Sequence, residues 1–200
     1  PGSLYLSDAS FFNPSLITNS MYLIVSNRTS WAPASIQVQG AWLRVQEGIG
    51  VNVAGDVTVN GPEAQLELLA TSALTCVNFT LTNGARAWFY SASSNGVSPD
   101  YGTLISIGGA LGVATGCVLY TVCDETNGGA VKIVARQVFV APGGLISADG
   151  FGYRGWVLGN WGRGPSRAPA SDVGSGAGYG GAGSGNPDST NLLLNMRIST

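Results

Sequence analysis

The stretch IQVQGAWLRVQEGIGVNVAGDVTVN, residues 36–60, contains the pattern that decides the fold. Apolar and polar residues alternate there in four short runs, and each gap between the runs contains a glycine. A period of two is typical of a half-buried β-strand, because successive side chains of a strand point to opposite faces. We therefore expect short strands that are joined by tight turns.

The same alternation continues along most of the chain and gives nine apolar pairs. The pairs are Ile36/Val38, Leu43/Val45, Val51/Val53, Val57/Val59, Leu66/Leu68, Phe79/Leu81, Ile105/Ile107, Val131/Ile133 and Val138/Val140. Eight of the nine residues between the paired positions are polar, and the ninth is Phe139. Helical spacing is almost absent, so the sequence predicts an all-β fold.

A longer spacing overlies the alternation and indicates a structural repeat. Five apolar positions follow one another at nearly constant intervals, and we expect them on the same side of successive turns: Ile36, Val57, Phe79, Ile105 and Val131. A repeat of this length built from several short strands is typical of a parallel β-solenoid, or β-helix. The alternative is a β-sandwich, in which Asn60-Gly61 and Asn83-Gly84 would be hairpin turns.

The composition changes after residue 149. The range 150–185 includes 13 glycines. Aromatic residues are interspersed among them: Phe151, Tyr153, Trp156, Trp161 and Tyr179. We interpret these rings as anchors of a glycine-rich structural loop, with stacking on sugar rings as the alternative. We divide the chain into solenoid coils at 1–149, the loop at 150–187, and a terminal strand of the same domain or of a subunit contact at 188–200.

Two segments within residues 131–183, VKIVARQVFVAPGGLISADGFGYRG and GSGAGYGGAG, resemble glycine-rich parts of large secreted β-helix proteins. These proteins belong to the pectate-lyase-like group of right-handed solenoids. The resemblance implies a right-handed coil and a location at the cell surface or in an extracellular matrix. It implies no activity, because the shared motif is not a catalytic signature.

The composition excludes several classes of function. Only 10% of residues are charged and the net charge is −2, so the chain lacks a basic patch for nucleic acid. No apolar run is long enough to span a bilayer. Histidine and CxxC motifs are absent, which argues against a zinc site and a serine or cysteine triad. A dinucleotide-binding loop requires a helix directly after its glycines, and the sequence predicts no helix there. We therefore expect no cofactor.

Polysaccharide cleavage is the enzymatic alternative, since the pectate-lyase-like group that the chain resembles contains many polysaccharide-cleaving enzymes. Glycoside hydrolysis needs two carboxylates at a fixed separation. The candidate acids are Asp124, Glu125 and Asp149, with Lys132 and Arg136 nearby. We interpret Asp149 as a turn residue and Arg136 as a solvated strand residue, and we predict a protein without catalytic activity.

Two kinds of covalent modification are suggested by the residues. Asn27-Arg28-Thr29 and Asn78-Phe79-Thr80 are sequons for N-glycosylation. Cys117 and Cys123 are candidates for a disulfide, which would leave Cys76 unpaired. The alternative is that all three cysteines are small, buried apolar residues.

The sequence thus predicts an extracellular or cell-surface structural protein, the protomer of a filament, a surface appendage or a matrix. The chain begins at Pro1, so we expect a processed chain or a piece of a longer one. We expect self-assembly into a homopolymer, with Leu194, Met196 and Ile198 of the terminal strand at a subunit contact. The alternative is a β-helix that binds or cleaves carbohydrate, with glycans as partners.

Overall fold

The computed structural model describes residues 17–18, 22–70, 73–93, 95–97, 101–124 and 129–152. These ranges contain fifteen strands and no helix. All of the strand pairs within them are parallel. The predicted β-solenoid is therefore confirmed. The sandwich alternative is wrong, because a sandwich of this kind is built from antiparallel sheets.

The coil has three sides, and equivalent strands of successive turns stack on one another. Side 1 carries β3 (Ser30–Trp31), β6 (Gly50–Asn52) and β9 (Ala73–Cys76). Side 2 carries β1 (Ile17–Thr18), β4 (Ile36–Gln39), β7 (Val57–Asn60) and β10 (Phe79–Thr82). Side 3 carries β2 (Tyr22–Val25), β5 (Trp42–Val45), β8 (Gln65–Leu68), β11 (Arg86–Tyr90), β13 (Val118–Val122) and β15 (Leu145–Ser147).

Two longer strands, β12 (Thr103–Val113) and β14 (Val131–Val140), run across sides 1 and 2 without a break. β12 pairs with both β9 and β10, so sides 1 and 2 form one sheet while side 3 forms a second. β14 pairs along β12, with a register shift between Ile107 and Ala110. There β12 contains one residue more than β14, which is the geometry of a β-bulge.

The apolar pairs found in the sequence fill the interior. Seven of the nine pairs, from Ile36/Val38 to Ile105/Ile107, are buried. Phe79 and Phe89 meet edge to face inside the coil, with ring centroids 5.4 Å apart. The last two pairs lie on β14 in the last described turn: Val131/Ile133 is half-buried and Val138/Val140 is exposed.

The predicted stacking of equivalent positions is right along the first part of side 2. Val57 pairs with both Ile36 and Phe79. Phe79 then pairs with Leu111, whose next partner is Val138. The first two steps along side 2 are therefore nearly equal, whereas the step from Phe79 to Leu111 is about half as long again.

The predicted places of Ile105 and Val131 in this column are wrong. Ile105 stacks on Leu74 of side 1, and Val131 stacks on Thr103. The connection between β11 and β12 adds residues 91–102 to one turn of the coil. A nearly constant repeat length therefore assigns the later residues to the wrong side.

The corner between sides 2 and 3 is built alike in successive turns. From the corner after β4 onward, a glycine with positive φ lies there each time: Gly40, Gly61, Gly84, Gly116 and Gly143. At four of these corners an N–H donates to a carbonyl three residues earlier, as from Ala64 to Gly61. The Asn-Gly pairs at 60–61 and 83–84 are therefore solenoid corners, which pass the chain from one sheet to the other, and not hairpin turns.

Residues 153–200 lie outside the described ranges. The predicted division at residues 149 and 187 stays a prediction. The right-handed sense that we expect of the coil is the one that parallel crossover connections almost always have.

Candidate functional site

The outer face of side 3 carries a column of charged and aromatic side chains. Arg44 is in register with Glu67, Glu67 with Trp88, and Trp88 with Tyr120. Equivalent residues of stacked strands lie about 4.8 Å apart, so the residues of this column are neighbours in successive turns.

The lower part of the column is an ion pair. Arg44 Nε donates to Glu67 Oε2 at 2.5 Å, and the guanidinium lies 5.0 Å from the centre of the Trp42 ring. The Glu67 side chain is 8% exposed and the Arg44 side chain 31% exposed. A carboxylate at this depth needs a charged partner, so the pair is explained by packing and charge balance. The pKa of Tyr90 is raised, mainly because the residue is partly buried and to a smaller extent because of the negative charge of Glu67. The positive charge of Arg44 opposes this effect.

The upper part of the column is a stack of rings. The Trp88 and Tyr120 rings are 5.1 Å apart at an angle of 19°, and Phe151 meets Tyr120 edge-on at 5.8 Å. Trp88 and Tyr120 therefore cover one face of each other, which reduces the area available to a sugar ring. Phe151, the first aromatic residue of the glycine-rich stretch, packs on Tyr120 of the solenoid, and the anchoring role of the stretch stays a prediction. Residues Tyr153, Trp156, Trp161 and Tyr179 lie outside the described ranges.

Asn78, a predicted glycosylation site, lies in a polar ladder at the corner between sides 1 and 2. Its Nδ2 donates to Asp56 Oδ1 at 2.9 Å, and its Oδ1 accepts from the backbone N–H of Ala110 at 2.9 Å. The amide thus links three successive turns. A Cβ atom at Gly109 would clash with Asn78 Oδ1, so the absence of a side chain at Gly109, in the bulge of β12, makes room for this amide.

The other sequon lies in a different setting. Asn27 is exposed in the connection between β2 and β3, with a φ of 58°. Asparagine tolerates this left-handed conformation better than most residues. Both glycosylation sites stay predictions, and Asn27 is the more accessible of the two.

The predicted disulfide between Cys117 and Cys123 is wrong. The strand Val118–Val122 separates the two residues. At about 3.3 Å per residue, six steps along a strand place the two Cα atoms roughly 20 Å apart, whereas a disulfide needs less than about 7 Å. Cys117 and Cys76 are buried free thiols, as the packing alternative expects. Burial, with a smaller contribution from Asp56, raises the pKa of Cys76 to about 12.

Two of the candidate acids, Asp124 and Asp149, take part in hydrogen bonds. Asp124 Oδ2 accepts from Ser93 Oγ at 3.4 Å. Asp149 is an exposed turn residue whose backbone N–H donates to Ser147 Oγ at 3.2 Å. The turn at Asp149 is as predicted, and the side-chain atom that accepts a hydrogen bond within it is Ser147 Oγ.

The basic candidates lie on β14. Lys132 Nζ lies 5.2 Å from the centre of the Tyr101 ring, and Arg136 is exposed. Glu125 lies outside the described ranges. No group of three His, Cys, Asp or Glu side chains that could hold a metal ion occurs among the described residues.

A groove on the outer face of side 2 was missed from the sequence. Phe139, which is 59% exposed, is in register with Gly112, and Gly112 with Thr80. Because Gly112 has no side chain, a groove of about 480 Å³ opens between Thr80 and Phe139. The sequence did contain a signal for this groove. Phe139 occupies an outward position between the apolar residues of its pair, and the corresponding residues of the other eight pairs are polar.

In comparisons with known proteins, no family model, curated protein or solved structure matches the chain. Among the described elements there is no helix that is long and apolar enough to cross a lipid bilayer.

Proposed function

We propose that this chain is an extracellular or cell-surface structural protein, without catalytic activity, that assembles with copies of itself into a filament, a surface appendage or a matrix. The observation that carries the proposal is the use of outward polar and aromatic side chains to join one turn to the next. Arg44 binds Glu67, Asn78 binds Asp56, and Trp88 stacks on Tyr120. Such contacts stabilise a long coil and do not assemble a reaction centre.

Self-assembly is supported by the last described turn of the coil. Its inward residues Val138, Val140 and Ile146 are exposed, and a stacked β-strand would bury them. The extracellular location is supported by the low content of charged residues, the two sequons and the resemblance to secreted β-helix proteins.

Electron microscopy of the native material is the main test. We expect fibres or a sheet-like matrix with the solenoid axis along the assembly. A purified chain that stays monomeric at high concentration contradicts self-assembly. Cleavage of a polysaccharide by the same preparation contradicts the absence of catalysis.

The secretory assignment has its own test in mass spectrometry of native peptides that cover residues 21–35. We expect a glycan on Asn27, because this residue is exposed in a turn. An unmodified peptide from the native source would remove the glycosylation and weaken the extracellular location, but it would leave the assembly proposal in place.

A second candidate function, glycan binding, is favoured by the groove beside Phe139. An exposed ring next to a hydroxyl, here that of Thr80, is a combination that suits a sugar. Affinity electrophoresis in polysaccharide gels tests it with Phe139→Ala, using Leu145→Ala as control because Leu145 is exposed to a similar extent on side 3. Retardation that is lost only with Phe139→Ala favours binding at the groove, whereas no retardation of the unmodified chain excludes it for the polymers used.

A further inference from the structure

The upper end of the described solenoid is its last turn, formed by β14 and β15. Apolar residues at inward positions are exposed there. Val138, Val140 and Ile146 are 54%, 45% and 40% exposed. The residues directly beneath them in register are 1%, 2% and 0% exposed: Leu111, Val113 and Leu119. The side chains point inward by the same alternation, so the difference arises because another turn covers the lower set.

The backbone at this end is also open. β14 pairs with β12, and β15 pairs with β13. Among the described strands, none pairs with the opposite edges of β14 and β15. An uncovered edge presents unpaired N–H and C=O groups, which natural proteins normally cover or pair. The end therefore needs a strand with apolar residues at alternate positions.

One segment of residues 153–200 has that pattern. The range 153–191 contains eleven glycines, and glycine is disfavoured in strands. The segment Leu192–Ile198, with the sequence LLLNMRI, alternates Leu194, Met196 and Ile198 with polar Asn195 and Arg197. The spacing of two matches that of Val138 and Val140 on β14.

We infer that Leu192–Ile198 adds as a strand to the β14–β15 end of its own chain and covers the exposed core residues. The residues 153–191 that lie between this end and the segment would span roughly 35 Å as a random coil, which is ample for this reach. A segment tethered in this way is present at an effective concentration in the millimolar range, so in dilute solution it competes well against the same segment of another copy. Exchange of the segment between copies is the corresponding route to a polymer.

Hydrogen exchange on the full chain tests the contact. The variant Leu194→Ser/Met196→Ser/Ile198→Ser removes the apolar side of the segment, and Asn195→Ser/Arg197→Ser is the matched control on its polar side. We expect the amides of residues 138–140 and 145–147 to lose protection in the triple variant only, while the central strands β7 and β8 keep theirs. Equal protection in the triple variant and the unmodified chain overturns the inference.

Cysteine cross-linking identifies the donor. In a Cys123→Ser background, Val140→Cys is combined in turn with a cysteine at position 194, 196 or 198, and in controls at 195 or 197. We expect a disulfide within one chain, under dilute oxidising conditions, for at least one inward position and much less for both controls. No preference for the inward positions overturns the contact.

Disulfides that link two chains at the same dilution overturn closure by the chain's own segment, but they support the proposed self-assembly. Conversely, the absence of fibres from native material would contradict the proposed function, whereas an intrachain disulfide would still support the present inference. The two proposals can therefore fail separately.

Discussion

Small side chains occupy the start of side 3 in successive turns. Ala41, Ala64, Ala85 and Cys117 are buried at equivalent positions. At the next such position, a Cβ atom on Gly144 would come within 2.8 Å of two carbonyl oxygens. The tight corner thus limits the size of the side chain, and Cys117 is explained by its volume and apolar character, without any need for its reactivity.

The thiol of Cys76 predicts a loss of stability at alkaline pH. Its pKa is about 12 in the folded chain, against an ordinary value of 9.0. Between these values the unfolded chain has lost a proton that the folded chain retains, so the free energy of unfolding falls as pH rises. The unfolding constant should increase by up to about tenfold per pH unit from this group.

Denaturant titrations between pH 8 and 11 measure this effect. Cys76→Ala should give a shallower dependence on pH than the unmodified chain. Tyr90 also has a raised pKa and acts in the same direction, so part of the slope should remain in the variant and disappear with Tyr90→Phe. Identical slopes for Cys76→Ala and the unmodified chain would contradict the prediction.

The Arg44–Glu67 pair predicts a strong coupling between a partly exposed position and a buried one. Arg44→Met leaves a carboxylate that is 8% exposed without its ion-pair partner, and we expect a loss of about 1–3 kcal/mol, which is below the value for fully buried pairs because Arg44 is 31% exposed. Arg44→Met/Glu67→Gln should recover part of that loss. A double-mutant cycle by urea unfolding measures the coupling, and additive effects would argue against it.

Among the structural elements, the corner between sides 2 and 3 depends most on backbone conformation. Gly116 has a φ of 74° and no atom near its missing Cβ, so Gly116→Ala tests conformation alone. We expect a loss of about 1–2 kcal/mol, the cost of a left-handed conformation for a residue with a Cβ atom.

Gly112→Ala is the matched control for the corner glycine. Gly112 lies inside β12 without a positive φ, and an added Cβ would lie 3.6 Å from Thr80, an ordinary contact. The control should leave the midpoint of thermal unfolding nearly unchanged or raise it. Equal losses for the two variants would show that the corner conformation is not what matters.

At the scale of the whole molecule, stability comes from an interior shared by successive turns. Phe89→Ala removes a fully buried ring that packs on Phe79, and we expect a loss of about 3–5 kcal/mol. Leu145→Ala, at a position that is 55% exposed, should change the free energy of unfolding by less than about 0.5 kcal/mol. Chemical denaturation of both variants makes the comparison, and similar losses would contradict a core located inside the coil.

The sequence by itself determined the all-β character of this protein, its stacked turns and the inward residues of most strands. These features follow from the period of two, which the geometry of a single strand imposes locally. The spacing of the corner glycines held a further signal for the longer turn. The gap between Gly84 and Gly116 is longer than the gaps before it, and the step from Phe79 to Leu111 on side 2 is lengthened in the same way. Reading them would have corrected the register after Phe79.

Only the tertiary structure decided which residues meet between turns. The length of the connection between β11 and β12 placed Leu111, and not Ile105, above Phe79. The extended strand β13 kept Cys117 away from Cys123, although the two are close in sequence. The same stacking engaged Asn78 in a ladder and left Phe139 beside a groove. Contacts between turns depend on how many residues each loop adds, and a local periodicity contains no information about that number.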